Sequence, residues 1–171
     1  TTGSAKDFGD TVAQNQQQGG TQSPTRGLIF GGSPRNDETI EFITISTKGN
    51  SQEFGNLRQL GTSLMGCCLS SPVRAIAAGG AHPGVKQNIE YVTIATKGNS
   101  TNFGNMTTSR DQHYSNSDSI RGVFSGGQNP STLDSMEYIQ IMSEGNGVDF
   151  GDLTSAKKNG FDAMSTSHGG L

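Results

Sequence analysis

Tryptophan is absent from the 171 residues, cysteine occurs twice, and charged residues make up only 16%. Each shortage excludes something. Cys67 and Cys68 are adjacent, so a long-range disulfide within the chain cannot form between them. Three scattered histidines do not complete a zinc spacing around that pair, which instead reads as small buried hydrophobes of an inner strand. A net charge of -3 with no Lys/Arg cluster removes the electrostatic footprint that phosphate-backbone binding requires. Nucleic acid is therefore not an expected partner. No apolar run approaches the roughly 20 residues that span a bilayer, so membrane insertion is not expected. The first residues lack the basic and apolar regions of a signal peptide. Thr1 opens in mid-phrase without Met, as after loss of a leader or of a longer N-terminal portion.

What is present in quantity is glycine, 25 residues of it, together with Ser, Thr, Asn and Gln and short β-branched runs. Low charge argues against a charge-driven disordered chain, and such runs set between glycines predict many short strands. The same phrase then recurs. Phe-Gly begins at Phe8, Phe54, Phe103 and Phe150, giving steps of 46, 49 and 47. Gly-Gly pairs stand at Gly31-Gly32, Gly79-Gly80 and Gly126-Gly127, and a strand-borne glutamate at Glu41, Glu90 and Glu137. All three markers keep a period of about 48 residues. That is too long for a β-helix coil, shows no 3.6-residue apolar periodicity, and suits a four-stranded propeller blade.

In the second copy the four strands are expected at residues 64–69, 73–78, 89–96 and 102–107. The second strand is apolar on both faces (Ala75 to Ala78), as when sheets are sandwiched between neighbours. Alternation in the third strand separates Glu41, Ile43 and Ile45 from Ile40, Phe42 and Thr44. Gly-Asn phrases at Gly49, Gly98 and Gly145 supply the following turn. The expected organisation is an all-β fold of three full units (13–60, 61–107 and 108–155). These are flanked by an outer strand at 1–12 and a partial closing unit at 156–171. Three units and two fragments are too few to close a ring alone, so further repeats upstream of Thr1, self-association, or an open array capped by another protein is expected. The inner strand of the first unit is weak, because residues 13–20 are polar and glycine-rich.

The order short strand, Gly-Gly, polar loop, Glu-aromatic strand and then an aromatic about a dozen residues later resembles the kelch motif. Phe54, Phe103 and Phe150 stand where kelch repeats usually carry Trp. Phrases such as Ile89-Glu90-Tyr91-Val92, Asn102-Phe103-Gly104-Asn105 and His168-Gly169-Gly170-Leu171 are similar to kelch-like repeats in virion and tail proteins of tailed, especially marine, bacteriophages. The resemblance implies kelch-like β-propeller blades in a virion component, in contact with other virion proteins or with upstream repeats, and with a host-surface glycan or protein as a further partner. Self-association as a homo-oligomer is compatible with it. A cellular kelch-type interaction module is the alternative. A propeller enzyme of galactose-oxidase or glycosidase type is a third reading, and it lacks the carboxylate, Tyr, His and Cys arrangement that such chemistry needs.

No nucleophile elbow, phosphate loop or metal-ligand spacing occurs, so no catalytic residue, cofactor or metal is expected. Glu41, Glu90 and Glu137 recur in step with Arg26, Arg74 and Arg121, and a buried carboxylate needs a partner, so Arg-Glu contacts are expected. His82, His113 and His168 occupy unmatched points of the repeat and read as isolated polar or solvated side chains. The copies differ most in the loops between second and third strands, 33–39, 81–88 and 128–135. Ser33, Arg35, Asn36, Asp37, His82, Lys86, Gln128, Asn129 and Asp134 are the candidate recognition residues there. Variable loops on a rigid scaffold are how binding surfaces are commonly made. These loops should share one end of the fold with the connections that lead from one unit to the next.

Overall fold

In the computed structural model the described residues are 3–12, 14–33, 38–59, 64, 67–81 and 83–159, together with the backbone of 163–165. They contain strands and no helix. The first sheet comprises β1 (Gly19–Gln22), β2 (Arg26–Phe30), β3 (Thr39–Thr44) and β4 (Gln52–Asn56). The second comprises β5 (Cys68–Ser70), β6 (Arg74–Ala78), β7 (Asn88–Thr93) and β8 (Thr101–Asn105). The third comprises β9 (Tyr114–Ser117), β10 (Arg121–Ser125), β11 (Ser135–Gln140) and β12 (Val148–Asp152). Each is an antiparallel meander in chain order, and β13 (Ala163–Ser165) extends the third sheet by pairing parallel to β9. Among the described residues the sheets do not close into a ring.

The repeated residues explain each meander. Ser23, Ser71 and Asp118 each accept a hydrogen bond from the backbone N–H three residues on, at Arg26, Arg74 and Arg121, and so fix the tight turn into the second strand. Gly-Gly ends that strand in the left-handed region, with φ of 68° and 88° at Gly79 and Gly80, where a side chain would be strained. Phe54, Phe103 and Phe150 are β-bulge residues. Ile89 pairs with Gly104 and Glu90 with Asn102, which leaves Phe103 as the extra residue between them. The same shift recurs at Ile40/Glu41 and Met136/Glu137. The bulge turns each Phe edge-on to the aromatic of the third strand, with centroids 6.1 Å apart for Phe42–Phe54 and Tyr91–Phe103 and 6.0 Å for Tyr138–Phe150.

The expected Arg-Glu pairing between Arg26, Arg74, Arg121 and the repeated glutamates does not occur, and strand register gives the reason. Arg26 lies opposite Thr44 and Glu41 opposite Ile29, so arginine and glutamate project from opposite faces of the sheet. Each arginine instead sits over the aromatic two positions along its own face: Arg26 over Phe42 at 4.9 Å, Arg74 over Tyr91 at 4.2 Å and Arg121 over Tyr138 at 4.7 Å. That face looks towards the next sheet, where Arg26 donates to the carbonyls of Ile94 and Ala95, and Arg74 to that of Ile141.

The glutamate face looks back to the preceding unit. Glu41 accepts the Val12 N–H, Glu90 those of Arg58 and Gln59, and Glu137 that of Thr107. Alongside runs a second stitch between units. The carbonyls of Phe8, Phe54 and Phe103 accept the N–H groups of Gly49, Gly98 and Gly145. The amides of Asp10, Asn56 and Asn105 donate to the side chains of Asn50, Asn99 and Asn146. A Cβ at Gly55 or Gly104 would run into the carbonyl of Gly98 or Gly145, so the glycine after Phe54 and after Phe103 is required by the neighbour's approach.

The core lies between sheets. Leu28, Phe30, Ile40, Phe54, Cys67, Cys68, Ala75 and Val92 fill the first interface, and Leu69, Ile76, Ile89, Phe103, Phe124 and Ile139 the second. The second sheet is therefore buried on both faces, as its apolar β6 predicts. The weak first inner strand forms as β1, which begins within the last two residues of the polar segment and runs on to Gln22. Gly19 within it allows close approach to Leu64 and the Cys68 sulfur, where a Cβ would collide.

Candidate functional site

The loops joining second to third strands and the connections joining one unit to the next come together at one end of the sheets. Gln128 exchanges backbone hydrogen bonds with Asp111, and its side-chain oxygen accepts a bond from Lys158 Nζ at 3.0 Å. Asn129 donates through Nδ2 to Ser109 Oγ at 2.7 Å. The Lys86 N–H bonds the Gly80 carbonyl, and the Lys86 carbonyl accepts the Arg110 N–H. Ser33 exchanges backbone bonds with Gln16, and the Asp134 carbonyl accepts the Leu153 N–H. Asp134 is exposed, while Ser33, Lys86, Gln128 and Asn129 are half-buried. Arg35, Asn36, Asp37 and His82 lie outside the described residues, as does His168.

Beneath this end, between the second and third sheets, lies a polar cluster that reading by repeats misses. Arg110 is fully buried. Its Nη1 donates to the carbonyls of Gly126 and Ser135 at 2.9 and 3.0 Å, and its Nη2 reaches Ser135 Oγ and stands 3.0 Å from Glu137 Oε1. Burial lowers the guanidinium and raises the Glu137 carboxyl, while the Thr107 amide and then Arg110 itself pull Glu137 back towards its charged form. The 3.0 Å geometry and the carbonyl partners are those of an ion pair, in which each group offsets part of the other's desolvation. Asp111, also buried, has its carboxyl raised by desolvation.

His113 is buried rather than solvated, which corrects the expectation for it. Its ring packs edge-on to Phe124 at 5.4 Å, and Nδ1 lies 3.6 Å from Cys67 Sγ. Residue 113 immediately precedes the inner strand β9 and enters the inter-sheet core with it. Desolvation pushes the Cys67 thiol up to about 12 and the imidazole down to about 3. Both are neutral near pH 7, so the contact is not the thiolate-imidazolium pair of an activated nucleophile. Cys67 and Cys68 are buried thiols, placed as small core residues. Among the described residues no group of three His, Cys, Asp or Glu side chains is placed to hold a metal ion. The only sequence signal for the cluster was the run Arg110-Asp111-Gln112-His113 itself, which has no counterpart in the other copies.

Comparison with known protein families gives no match, and no curated protein matches the chain.

Proposed function

We propose that this chain is a non-enzymatic binding module built of kelch-like β-propeller blades in an exterior component of a phage virion, a tail or fibre part, where it offers a docking platform to host-surface glycan or protein. The observation that carries this reading is the division of labour among polar residues. Those that recur are used internally: the arginines lie on aromatics, the glutamates bind backbone amides of the preceding unit, and the asparagines of the Gly-Asn turns hold the junctions. Those that differ between copies gather at one end, where Gln128, Asn129, Lys86 and Asp134 are fixed by backbone and side-chain bonds. A rigid frame with a variable polar rim suits recognition of another surface. The phage assignment is supported by the wording of the repeats, and the propeller assignment by four-stranded meanders stacked through apolar faces.

The test is binding of the purified chain to arrays of bacterial envelope polysaccharides and to intact host cells. Wild-type protein is expected to bind, and a variant carrying Gln128→Ala, Asn129→Ala and Asp134→Ala to lose most of that binding while keeping its fold. Equal binding by the variant, or the chain found as a free cytoplasmic monomer, overturns the reading.

A further inference from the structure

The junction that repeats through the molecule leaves half a junction exposed at each end. At the two internal junctions the bulged Phe is covered: Phe54 and Phe103 are 4% and 3% exposed, whereas Phe150 is 47% exposed. Gly104 meets the Gly145 carbonyl, yet around Gly151 a Cβ would find nothing within 4 Å. Arg121 lies over Tyr138 but, among the described residues, reaches none of the carbonyls that Arg26 and Arg74 find in the following sheet. Among the described residues the outer face of the third sheet thus carries every element of a junction except the neighbour.

The complementary half is on the first sheet. Ile45, the counterpart of Ile94 and Ile141, is 41% exposed where those two are 2% and 0%. Among the described residues the Gly49-Asn50 turn is occupied by residues 3–12, an exposed segment with no strand of its own. That segment is held through Phe8, Asp10 and Val12. The occupying residues read Asp7-Phe8-Gly9-Asp10, and the empty edge reads Asp149-Phe150-Gly151-Asp152, the same four residues. The internal junctions read Glu-Phe-Gly-Asn and Asn-Phe-Gly-Asn instead.

We infer that the third sheet's edge is the docking surface for a second copy of this chain, with Phe150-Gly151-Asp152 of one copy taking the seat that Phe8-Gly9-Asp10 holds on the first sheet of the next. The exchange keeps the same bonds to the Gly49 and Ser51 amides and the Asn50 side chain, but presents them from a preformed sheet rather than a loose segment, so less ordering entropy is lost. It also brings Arg121 to the Ile45 carbonyl, as Arg74 meets that of Ile141, and covers both Phe150 and Ile45. The contact joins unlike surfaces, head to tail, so it propagates as a chain of copies or closes as a ring. The inference does not depend on the virion reading.

Sedimentation velocity of the full chain over a range of concentrations tests it. Gly9→Val places a Cβ against the Gly49 carbonyl within the exposed segment alone, which vacates the seat without touching a sheet. Gly9→Val is expected to strengthen self-association about tenfold, the effect of removing a competitor worth one or two ordinary hydrogen bonds. Adding Ile45→Lys, an exposed position in the single copy that would face Arg121 across the junction, is expected to return the double variant to monomer. A Gly9→Val chain that remains monomeric at every concentration overturns the inference. So does a Gly9→Val/Ile45→Lys chain that associates as strongly as Gly9→Val, because assembly then uses another surface.

Discussion

The two internal junctions hold the same buried carboxylate by different means. At the first, Glu90 accepts the amides of Arg58 and Gln59 and the hydroxyl of Ser100, and Ser51 serves Glu41 in the same way. At the second, Gly147 stands where those serines do, and the hydroxyl is gone. A Cβ at Gly147 would press on Glu137 Oε2, so the carboxylate has moved into the space that the serine side chain would need. Arg110, reaching over from the connection before β9, supplies the missing partner as a full charge. The repeat therefore preserves the demand, a desolvated carboxylate at the junction, while the group that meets it is free to change. Glu90 is met by two amides and a neutral hydroxyl, Glu137 by the Thr107 amide and a buried cation.

The largest expected effect separates the two. Arg110→Ala removes a guanidinium with four polar partners and leaves the buried Glu137 with only the amide and side chain of Thr107, a loss of about 3–5 kcal/mol in urea unfolding. The double variant Arg110→Met/Glu137→Gln is expected to recover much of that loss, because it removes the uncompensated charge along with its partner. Ser100→Ala at the other junction is expected to cost only about 1 kcal/mol, since the Arg58 and Gln59 amides remain. Equal losses for Arg110→Ala and Ser100→Ala would mean that the junctions do not differ in kind.

The second effect depends on pH and belongs to the Arg110 junction alone. Burial first, and the Arg110 charge second, lower the His113 imidazole from 6.5 to about 3. The folded value lies below the unfolded one, so the native chain binds fewer protons. The corresponding stability is complete above the unfolded value and is lost progressively as pH falls towards the folded one. Between pH 7 and pH 5 the loss is about 2 kcal/mol. The raised carboxyls of Asp111 and Glu137 act in the opposite sense, their stability being lost as pH rises through their folded values. Comparing wild type with His113→Gln by urea unfolding at both pH values isolates the histidine, and the wild type is expected to lose more.

What was legible in the sequence follows the same division. Glutamate, Gly-Gly and Phe-Gly announce themselves by period, and their strands fall close to where alternation and turn chemistry place them: β6 at Arg74–Ala78 against an expected 73–78. The partner of Glu41 was not legible from the period, because Arg26 keeps the same step and yet projects from the other face. Only the hairpin register, Arg26 opposite Thr44, decides that. The turn residues Ser23, Ser71 and Asp118, three before each arginine, carried a periodic signal of their own. Arg110, Asp111 and His113 carried none. Their burial depends on how the inner strand β9 packs against β5, a property of two units together that no single copy encodes.

The smallest expected effect extends the comparison to the open edge. Arg26 and Arg121 occupy the same position over an aromatic, but only Arg26 also bonds carbonyls of a following sheet, at 2.7 and 3.0 Å. Arg26→Ala should therefore remove a cation–π contact and two charge-assisted hydrogen bonds, about 2 kcal/mol in all, while Arg121→Ala removes the cation–π contact alone, about 0.5 kcal/mol at an exposed site. Measured in dilute solution, where copies are apart, the difference reports what a neighbouring sheet adds to an arginine already stacked on its own. At concentrations where copies associate, Arg121→Ala should approach the cost of Arg26→Ala. A cost for Arg121→Ala that stays the same from dilute to concentrated solution would show that its guanidinium gains nothing from a second copy.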